Sequence, residues 1–216
     1  MTARRRVHRV NAGGMTGRAD DLVVEAPLEL HLGDTTLAVL MRTPGHDTEL
    51  AAGWLLVESG VEAPADVTQL RGCWKNDVDV IEIALAPHTR PPRPRSFVTG
   101  AACGVCSADQ LTLGAVGPRS AQVLDVDVAR DLPDTLREQQ RAFERTGGLH
   151  AAGLATYDGR IDVVREDVGR HNAVDKVVGW ALHTGTSLSG AVLMVSGRLS
   201  FELVQKCVAA SALPKA

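Results

Sequence analysis

The stretch IDVVREDVGRHNAVDKVV, residues 161–178, decides the fold class of this 216-residue chain. Its first part, Ile161–Arg165, has the composition of a strand, and Asp158-Gly159 just before it is a strong hairpin turn signal. Its second part places Val174 and Val177 at helical spacing, which predicts a helix with one buried face. A strand that leads through a short polar segment into a helix is typical of a layered α/β domain.

The polar centre of this stretch, Glu166–Lys176, is a candidate binding site. His171 and Asp175 lie four residues apart on the predicted helix, and so do Asn172 and Lys176, so each pair shares one helix face. The free backbone N–H groups at the start of the helix would point at whatever binds there. Polar residues that follow the carboxyl end of a strand are also where open α/β sheets place their ligands.

The surrounding segments complete the α/β pattern. Leu132-Pro133 is expected to open a helix that Thr146-Gly147-Gly148 ends, because proline favours the first turn and glycine the end of a helix. The apolar run Gly190–Val195 predicts a strand that is covered on both faces. The loop Ser196-Gly197-Arg198 follows this strand and is a second candidate ligand site. A last helix is expected from about Ser200.

The first half of the chain is predicted to be rich in β-structure. Alternating apolar and polar residues indicate two hairpins with one capped helix between them. These segments are the strands Leu28–Leu32 and Thr35–Arg42, the helix with Asp47 as its N-cap, and the strands Val67–Trp74 and Val78–Leu85. We expect residues 1–20 to be a disordered basic tail, 21–96 a β-rich part with one helix, and 97–216 an α/β part. The predicted fold class is therefore mixed α/β.

The bulk composition excludes several classes of protein. A hydrophobic fraction of 44% with 23% charged residues is typical of a soluble globular protein, and the net charge of −3 gives no overall attraction to nucleic acid or to an anionic membrane. No apolar run approaches the roughly 20 residues that span a bilayer, and no secretory signal follows the basic N-terminus. Four cysteines in a chain of this length do not form a disulfide framework. We therefore expect a cytoplasmic protein with reduced thiols.

The most reactive groups are expected in the segment Cys103-Gly104-Val105-Cys106. Thiolate is the reactive form of cysteine, and the spacing of these two thiols is one of the few arrangements that lower a thiol pKa toward neutrality. The pair can be half of a zinc site, a redox pair, a sulfur-carrying nucleophile, or two packed side chains.

The rest of the sequence weighs against zinc. A zinc deaminase has a His-x-Glu before its cysteine pair, whereas His150-Ala151-Ala152 lacks the glutamate and follows the pair. A structural zinc site needs two further ligands, and no second cysteine pair or close histidine pair offers them. A thiol that carries sulfur by thiol exchange is the interpretation we favour. A surface formed by Arg170, His171, Lys176 and Arg198 would suit a phosphate-bearing recipient.

Five blocks of this sequence occur in the order found in the FdhD family, and the similarity spans about Leu22–Lys206. The blocks are Arg42-Thr43-Pro44-Gly45-His46-Asp47, Cys103-Gly104-Val105-Cys106, Thr146-Gly147-Gly148-Leu149-His150-Ala151-Ala152, Arg165–Lys176, and Ser196-Gly197-Arg198-Leu199-Ser200-Phe201-Glu202. The chain thus resembles the accessory sulfurtransferases of formate dehydrogenase.

This resemblance implies an activity and a set of partners. A cysteine desulfurase would supply sulfur, and the chain would pass it to the molybdenum cofactor in its bis-molybdopterin guanine dinucleotide form before insertion into formate dehydrogenase. The resemblance implies a cytidine-deaminase-like core, an N-terminal β-rich part and a homodimer. It implies neither a nucleic-acid nor a membrane partner, and no catalytic metal.

The resemblance also assigns candidate site residues. Cys103 would carry the persulfide, with Cys106 as its partner. The motif blocks imply a cofactor surface at Gly147, His150, Asp167, Arg170, His171, Asn172, Lys176, Ser196, Gly197 and Arg198. The alternative is a non-catalytic chaperone that binds the cofactor or the dehydrogenase, with incidental thiols.

The sequence departs from the family pattern at two places. Family members continue through further strand and helix segments after the positions that match Gln205-Lys206, so this chain is expected to be short at its C-terminus and to lack part of the cofactor surface. Ser107 stands where a glycine is common.

Overall fold

A computed structural model describes residues 2–57, 59, 61, 63–94, 98–99 and 122–212. The predicted persulfide pair, Cys103 and Cys106, lies outside the described residues. Within them the chain forms three β-sheets and five α-helices, so the expected mixed α/β class is confirmed. A short 3₁₀-helix spans Pro64–Asp66.

The N-terminal residues form a β-hairpin, and the prediction of a disordered tail over residues 1–20 is wrong. Strand β1 (Thr2–Asn11) pairs antiparallel with β2 (Gly14–Val23) over their whole length. Gly14 has φ +114°, a conformation that glycine adopts without strain, and it closes the turn. The strands carry charged residues where a half-buried strand has apolar ones, so no period-2 hydrophobic pattern revealed them.

The two predicted hairpins of the first half belong to one five-stranded sheet. Its strands are β3 (Ala26–Leu32), β4 (Thr35–Arg42), β5 (Val67–Lys75), β6 (Val78–Leu85) and β7 (Val98–Thr99), in the order β5-β6-β3-β4-β7. The hairpins are antiparallel, while β3 runs parallel to β6. Leu28 and Leu30 alternate along β3 and are fully buried against one face, as the pattern predicted.

The second half contains a three-stranded antiparallel sheet. Its strands are β8 (His150–Ala155), β9 (Ile161–Asp167) and β10 (Val192–Val195), in the order β10-β8-β9. The hairpin across Asp158-Gly159 is confirmed. The expectation that Gly190–Val195 is covered on both faces is wrong, because β10 is shorter, lies at the edge of this sheet, and has only Met194 buried.

Five helices pack around these sheets. They are α1 (Asp47–Val57), α2 (Val126–Glu138), α3 (Arg141–Thr146), α4 (Arg170–Thr184) and α5 (Phe201–Ala212). Helix α2 starts well before the predicted Leu132-Pro133, because the Asp125 carboxylate accepts the N–H of Asp127 at 2.8 Å and caps the helix there. Pro133 is therefore inside the helix, while Gly147 ends α3 in the left-handed conformation, with φ +65°.

Helices α1 and α4 join the two halves by a backbone-to-backbone contact. A Cβ at Gly53 of α1 would overlap the carbonyl oxygen of Asp175, and a Cβ at Gly179 of α4 would overlap that of Glu49. Only glycine permits this approach, because every other residue carries that Cβ atom. Leu182 of α4 packs against the hydrophobic cores of both halves. The α1–α4 pair therefore lies between the two halves and contacts both cores.

We expect Gly179→Ala to destabilise the protein by about 3 kcal/mol, because the added methyl group meets rigid backbone and not a flexible side chain. This loss would exceed the roughly 1 kcal/mol by which alanine ordinarily favours a helix over glycine. Urea unfolding measures the effect. Gly72→Ala on β5 is the matched control, since its nearest neighbour would be 3.7 Å away. Equal stability of the two variants would contradict the close helix contact.

Candidate functional site

Three strand ends meet at one edge of the second sheet. His150 begins β8 opposite Asp167, which ends β9, and Val195 at the end of β10 pairs with Ala152. The Ser196 hydroxyl then accepts the N–H of Ala151 at 2.8 Å. We call the edge defined by His150, Asp167 and Ser196 the site edge.

Both sequence-predicted ligand segments reach the site edge. A Cβ at Gly197 would lie 3.2 Å from Nδ1 of His150 and 3.7 Å from Cβ of Arg170. The loop after β10 therefore lies directly against the start of α4, although Gly197 comes 27 positions after Arg170 along the chain. His150, Arg170, Ser196 and Gly197 form one continuous surface. Arg198 follows them as an exposed residue, and His171 is half-buried.

Asp167 lies beneath this surface and is fully buried. Its Oδ1 accepts the N–H of Gly169 at 2.8 Å and the side-chain amide of Asn172 at 3.0 Å. Its Oδ2 accepts Nζ of Lys176 at 2.6 Å and the N–H of Thr43 at 3.1 Å. Four donors saturate a buried carboxylate, which otherwise would be costly to remove from water.

Lys176 and Asn172 extend this buried network into the first half. Nζ of Lys176 also donates to the Thr43 carbonyl at 2.9 Å, and the Asn172 amide donates to the Met41 carbonyl at 2.9 Å. Lys176 is 1% exposed. Asp167, Asn172 and Lys176 were predicted as cofactor ligands, but the structure places them below the surface, where they fix the position of the loop before α4.

Removing the carboxylate charge tests this network. We expect Asp167→Asn to destabilise the protein by about 3–5 kcal/mol, because the buried Lys176 ammonium loses its charged partner. Asp162→Asn, on the same strand, is the matched control: its partner Arg160 is 68% exposed, and we expect a loss below about 1 kcal/mol. Thermal unfolding of both variants measures the difference. A loss at Asp167 no larger than the control would show that the network does not stabilise the fold.

The block that begins at Arg42 orients Thr43 for these contacts. Arg42 is fully buried, and its guanidinium binds Asp47 through two hydrogen bonds of 3.0 and 2.9 Å and Asp79 through one of 2.5 Å. Asp47 was expected to be the N-cap of α1, but it is the first helical residue. Its carboxylate accepts hydrogen bonds from Arg42 instead. His46 accepts the first helical bond, from Leu50, with φ +58°.

Arg165 of β9 forms a second bridge between the halves. Its Nε and Nη2 donate to Glu49 of α1 at 2.6 and 2.8 Å, and His46 lies 3.4 Å from the same carboxylate. Burial alone would raise the pKa of Glu49, but the hydrogen bonds from Arg165 and His46 outweigh it and lower the pKa to about 2 from an ordinary 4.5. Glu49 is therefore ionised at neutral pH.

The lowered pKa of Glu49 predicts a pH dependence. A carboxylate with a folded-state pKa below its unfolded value stabilises the protein above pH 4.5, and this contribution disappears as the pH falls toward 2. Glu49→Gln should therefore cost on the order of 3 kcal/mol at pH 6 and progressively less below pH 4. Urea unfolding from pH 6 to pH 3 measures this difference. Glu144→Gln, which changes an exposed carboxylate of α3, is the control variant. A Glu49 difference that stays constant with pH would refute the assignment.

A cleft of about 840 Å³ opens beside the site edge, between α2, α3 and the second sheet. Its apolar lining includes Leu132, Leu136, Phe143 and Met194, and its polar lining includes Arg137, Gln140, His150 and Ser196. Of the predicted site residues, Gly147, His150 and Ser196 line this cleft. The cleft thus offers apolar walls with a few polar groups among them, as small-molecule sites do.

Glu166 positions the α3 wall of the cleft. Its two carboxylate oxygens accept the N–H groups of Ala142 and Phe143 at 2.9 and 2.7 Å, so a residue of β9 caps a helix more than 20 residues earlier in the chain. Such a cap satisfies two of the free N–H groups at the helix start. Glu166 lies within the predicted stretch Glu166–Lys176, but the supporting roles of Glu166, Thr43 and Glu49 were not predicted, because their partners are distant in sequence.

The surroundings of His150 at this edge favour the neutral form of its imidazole. Burial lowers its pKa below the ordinary 6.5, and the positive charge of Arg170 lowers it further, against a weaker opposing effect of Asp167. A neutral imidazole has one donor and one acceptor nitrogen, so it can bind a polar ligand group of either kind.

Two kinds of feature are absent from the described ranges. They contain no group of three or more histidine, cysteine or acidic side chains that could hold a metal ion. Within the same ranges, no helix combines the length and apolar character that crossing a bilayer requires.

A sequence model of the FdhD/NarQ family matches residues 23–213. The chain belongs to this family. The match covers both halves and every predicted site residue, including Cys103 and Cys106.

Relatives in the family agree with this assignment. A protein of Nocardia farcinica named "Sulfur carrier protein FdhD" is 47% identical over 97% of this chain and 79% of its own length. A protein of Mycobacterium tuberculosis with the same name is 43% identical over 97% of this chain and 82% of its own length.

A crystal structure from Desulfotalea psychrophila, of a candidate formate dehydrogenase accessory protein, has the same fold. It matches with a TM-score of 0.76 over 98% of this chain and 81% of its own, at 22% identity. At this identity the match supports the fold alone.

Proposed function

We propose that this chain is a sulfur carrier with sulfurtransferase activity, which accepts sulfur on Cys103 from a cysteine desulfurase. The observation that carries the proposal is the 47% identity, over 97% of the chain, with a relative named as a sulfur carrier. The spacing of Cys103 and Cys106 supports it, because a paired thiol has a lowered pKa and reacts as the thiolate.

The loading step is a thiol exchange. The Cys103 thiolate attacks the terminal sulfur of a persulfide on the donor enzyme. The sulfur–sulfur bond of the donor breaks, a new one forms at Cys103, and the donor cysteine leaves as a thiolate. No electron enters or leaves the pair of proteins, so this step needs no oxidant or reductant. We assign Cys106 the role of the neighbouring thiol that holds or releases the carried sulfur.

We propose the bis-molybdopterin guanine dinucleotide form of the molybdenum cofactor as the bound substrate that receives the sulfur. The apolar walls of the cleft suit flat heteroaromatic rings, and His150 and Ser196 at its side suit their polar edges. Arg170 and Arg198 beyond that edge suit phosphate groups, which guanidinium binds through paired hydrogen bonds. Asp167, Asn172 and Lys176 would support this surface from below without touching the substrate.

The same proposal makes this chain an accessory protein of formate dehydrogenase. The sulfurated cofactor would pass to that enzyme, as the sequence resemblance implies. A homodimer and a cytoplasmic location remain predictions from the sequence.

Intact-protein mass spectrometry tests the loading step. We expect one reductant-reversible sulfur atom to be added to the parent chain by a cysteine desulfurase with cysteine. Cys103→Ala should lose this addition completely while it keeps the parent melting temperature. Cys207→Ala, which removes an exposed thiol on α5, is the control and should load as the parent does.

The alternative function, a chaperone with incidental thiols, predicts a different outcome. It requires that the folded and reduced parent acquire no sulfur, or that Cys103→Ala support formate dehydrogenase activity as well as the parent does. Either result would overturn the sulfur-carrier proposal.

A further inference from the structure

The β1–β2 hairpin has no place in the proposed transfer chemistry. It lies almost wholly before residue 23, where the match to the family model begins. Val23 at the base of the hairpin packs against Gly148. A Cβ atom added at Gly148 would lie 3.1 Å from Cγ2 of Val23. Gly148 lines the cleft, so the hairpin rises from the rim of the candidate site.

The hairpin is strongly basic in a chain that is acidic overall. It carries five arginines, no lysine and two aspartates, a net charge of +3, whereas the whole chain has −3. Arg18 forms an ion pair with Asp20 at 2.8 Å. Within the described part of the chain, Arg4, Arg6 and Arg9 form no ion pair, and all three are exposed.

The register places Arg4 and Arg6 on one face of the hairpin, in a cationic strip with an apolar end, and Arg9 on the opposite face. Arg6, His8 and Val10 alternate along β1 and therefore share one face. Gly17 lies opposite His8 on β2. The Arg6 guanidinium packs over Gly17, with its Nε atom 3.3 Å from the position that a Cβ atom of residue 17 would occupy. At the tip, Val10 pairs with Met15, and they are 75% and 66% exposed.

We propose that the β1–β2 hairpin is a docking arm for an acidic protein surface, carried by the enzyme that receives the cofactor. This inference rests on the proposed function, because the arm stands at the rim of the cleft from which the cofactor would leave. Arginine binds carboxylates through paired hydrogen bonds, and an arm that uses only arginine has the chemistry for a surface of Asp and Glu.

Two observations favour a protein partner over a nucleic acid. The exposed Val10–Met15 tip is an apolar anchor of the kind that becomes desolvated in protein interfaces. The body of the chain outside the hairpin carries a net charge of −6, which would repel a polyanion that approached along its length.

Charge reversal of the arm tests the proposal. Binding of cofactor-free formate dehydrogenase to the full chain would be measured by calorimetry at 50 and 300 mM salt. We expect the triple variant Arg4→Glu, Arg6→Glu, Arg9→Glu to bind at least about tenfold more weakly than the parent and to lose most of the salt dependence. The control reverses three exposed arginines outside the hairpin, Arg71→Glu, Arg130→Glu and Arg160→Glu, and should change binding less than about threefold.

A second variant tests the apolar tip without a change of charge. Val10→Ser with Met15→Ser should weaken binding about tenfold while the salt dependence stays that of the parent. Circular dichroism and the melting temperature would establish that each variant keeps the parent fold.

The proposal is overturned if the parent does not bind the dehydrogenase, or if arm and control variants bind alike. It is also overturned if the arm instead governs binding to a 20-base-pair duplex DNA. Sulfur loading of the arm variants by a desulfurase is measured separately. Arm variants that load sulfur as the parent does but no longer bind the dehydrogenase would support the docking role of the arm. A parent chain that acquires no sulfur would count against the proposed function alone.

Discussion

The backbone contact between α1 and α4 is the constraint on which the rest of this structure depends. Gly53 and Gly179 let the two helices approach very closely. A Cβ atom added at either glycine would overlap the backbone of the other helix. Because the helices are this close, Lys176 can reach the Thr43 carbonyl and Arg165 can reach Glu49. Two halves with separate sheets thus share one buried polar seam, which fixes the edge where the candidate site forms.

This seam separates two roles that the sequence presents together. Within one polar block, Asp167, Asn172 and Lys176 point into the seam, while Arg170 joins the surface near His150. The buried charges cost solvation, and the hydrogen bonds that saturate Asp167 offset that cost. The consequence is a rigid base beneath a polar surface, as precise binding of a substrate with several phosphate groups would require.

The sequence was a good guide wherever the hydrophobic pattern was local. Alternation predicted the hairpins of both larger sheets, and glycine predicted the end of α3 at Thr146. It failed at the start of α2, which the Asp125 cap fixes well before Pro133, and at the β1–β2 strands, which lack an apolar face. The burial of Asp167 could not be predicted either, because its partner Thr43 is 124 residues away. The motif blocks predicted one site from the segments near His150, Arg170 and Ser196, and the structure brings these three segments together at one edge. The sequence did not show which of their side chains face the surface.

The central claim is that sulfur passes through this protein to a bound cofactor. A single-turnover chase with radiolabelled sulfur tests it most directly: the chain is loaded by a desulfurase, separated from it, and mixed with the bis-molybdopterin guanine dinucleotide cofactor. The account predicts that label leaves the parent protein and appears on the cofactor at the same rate. Label that stays on the protein, or leaves as free sulfide at a rate independent of the cofactor, would contradict it.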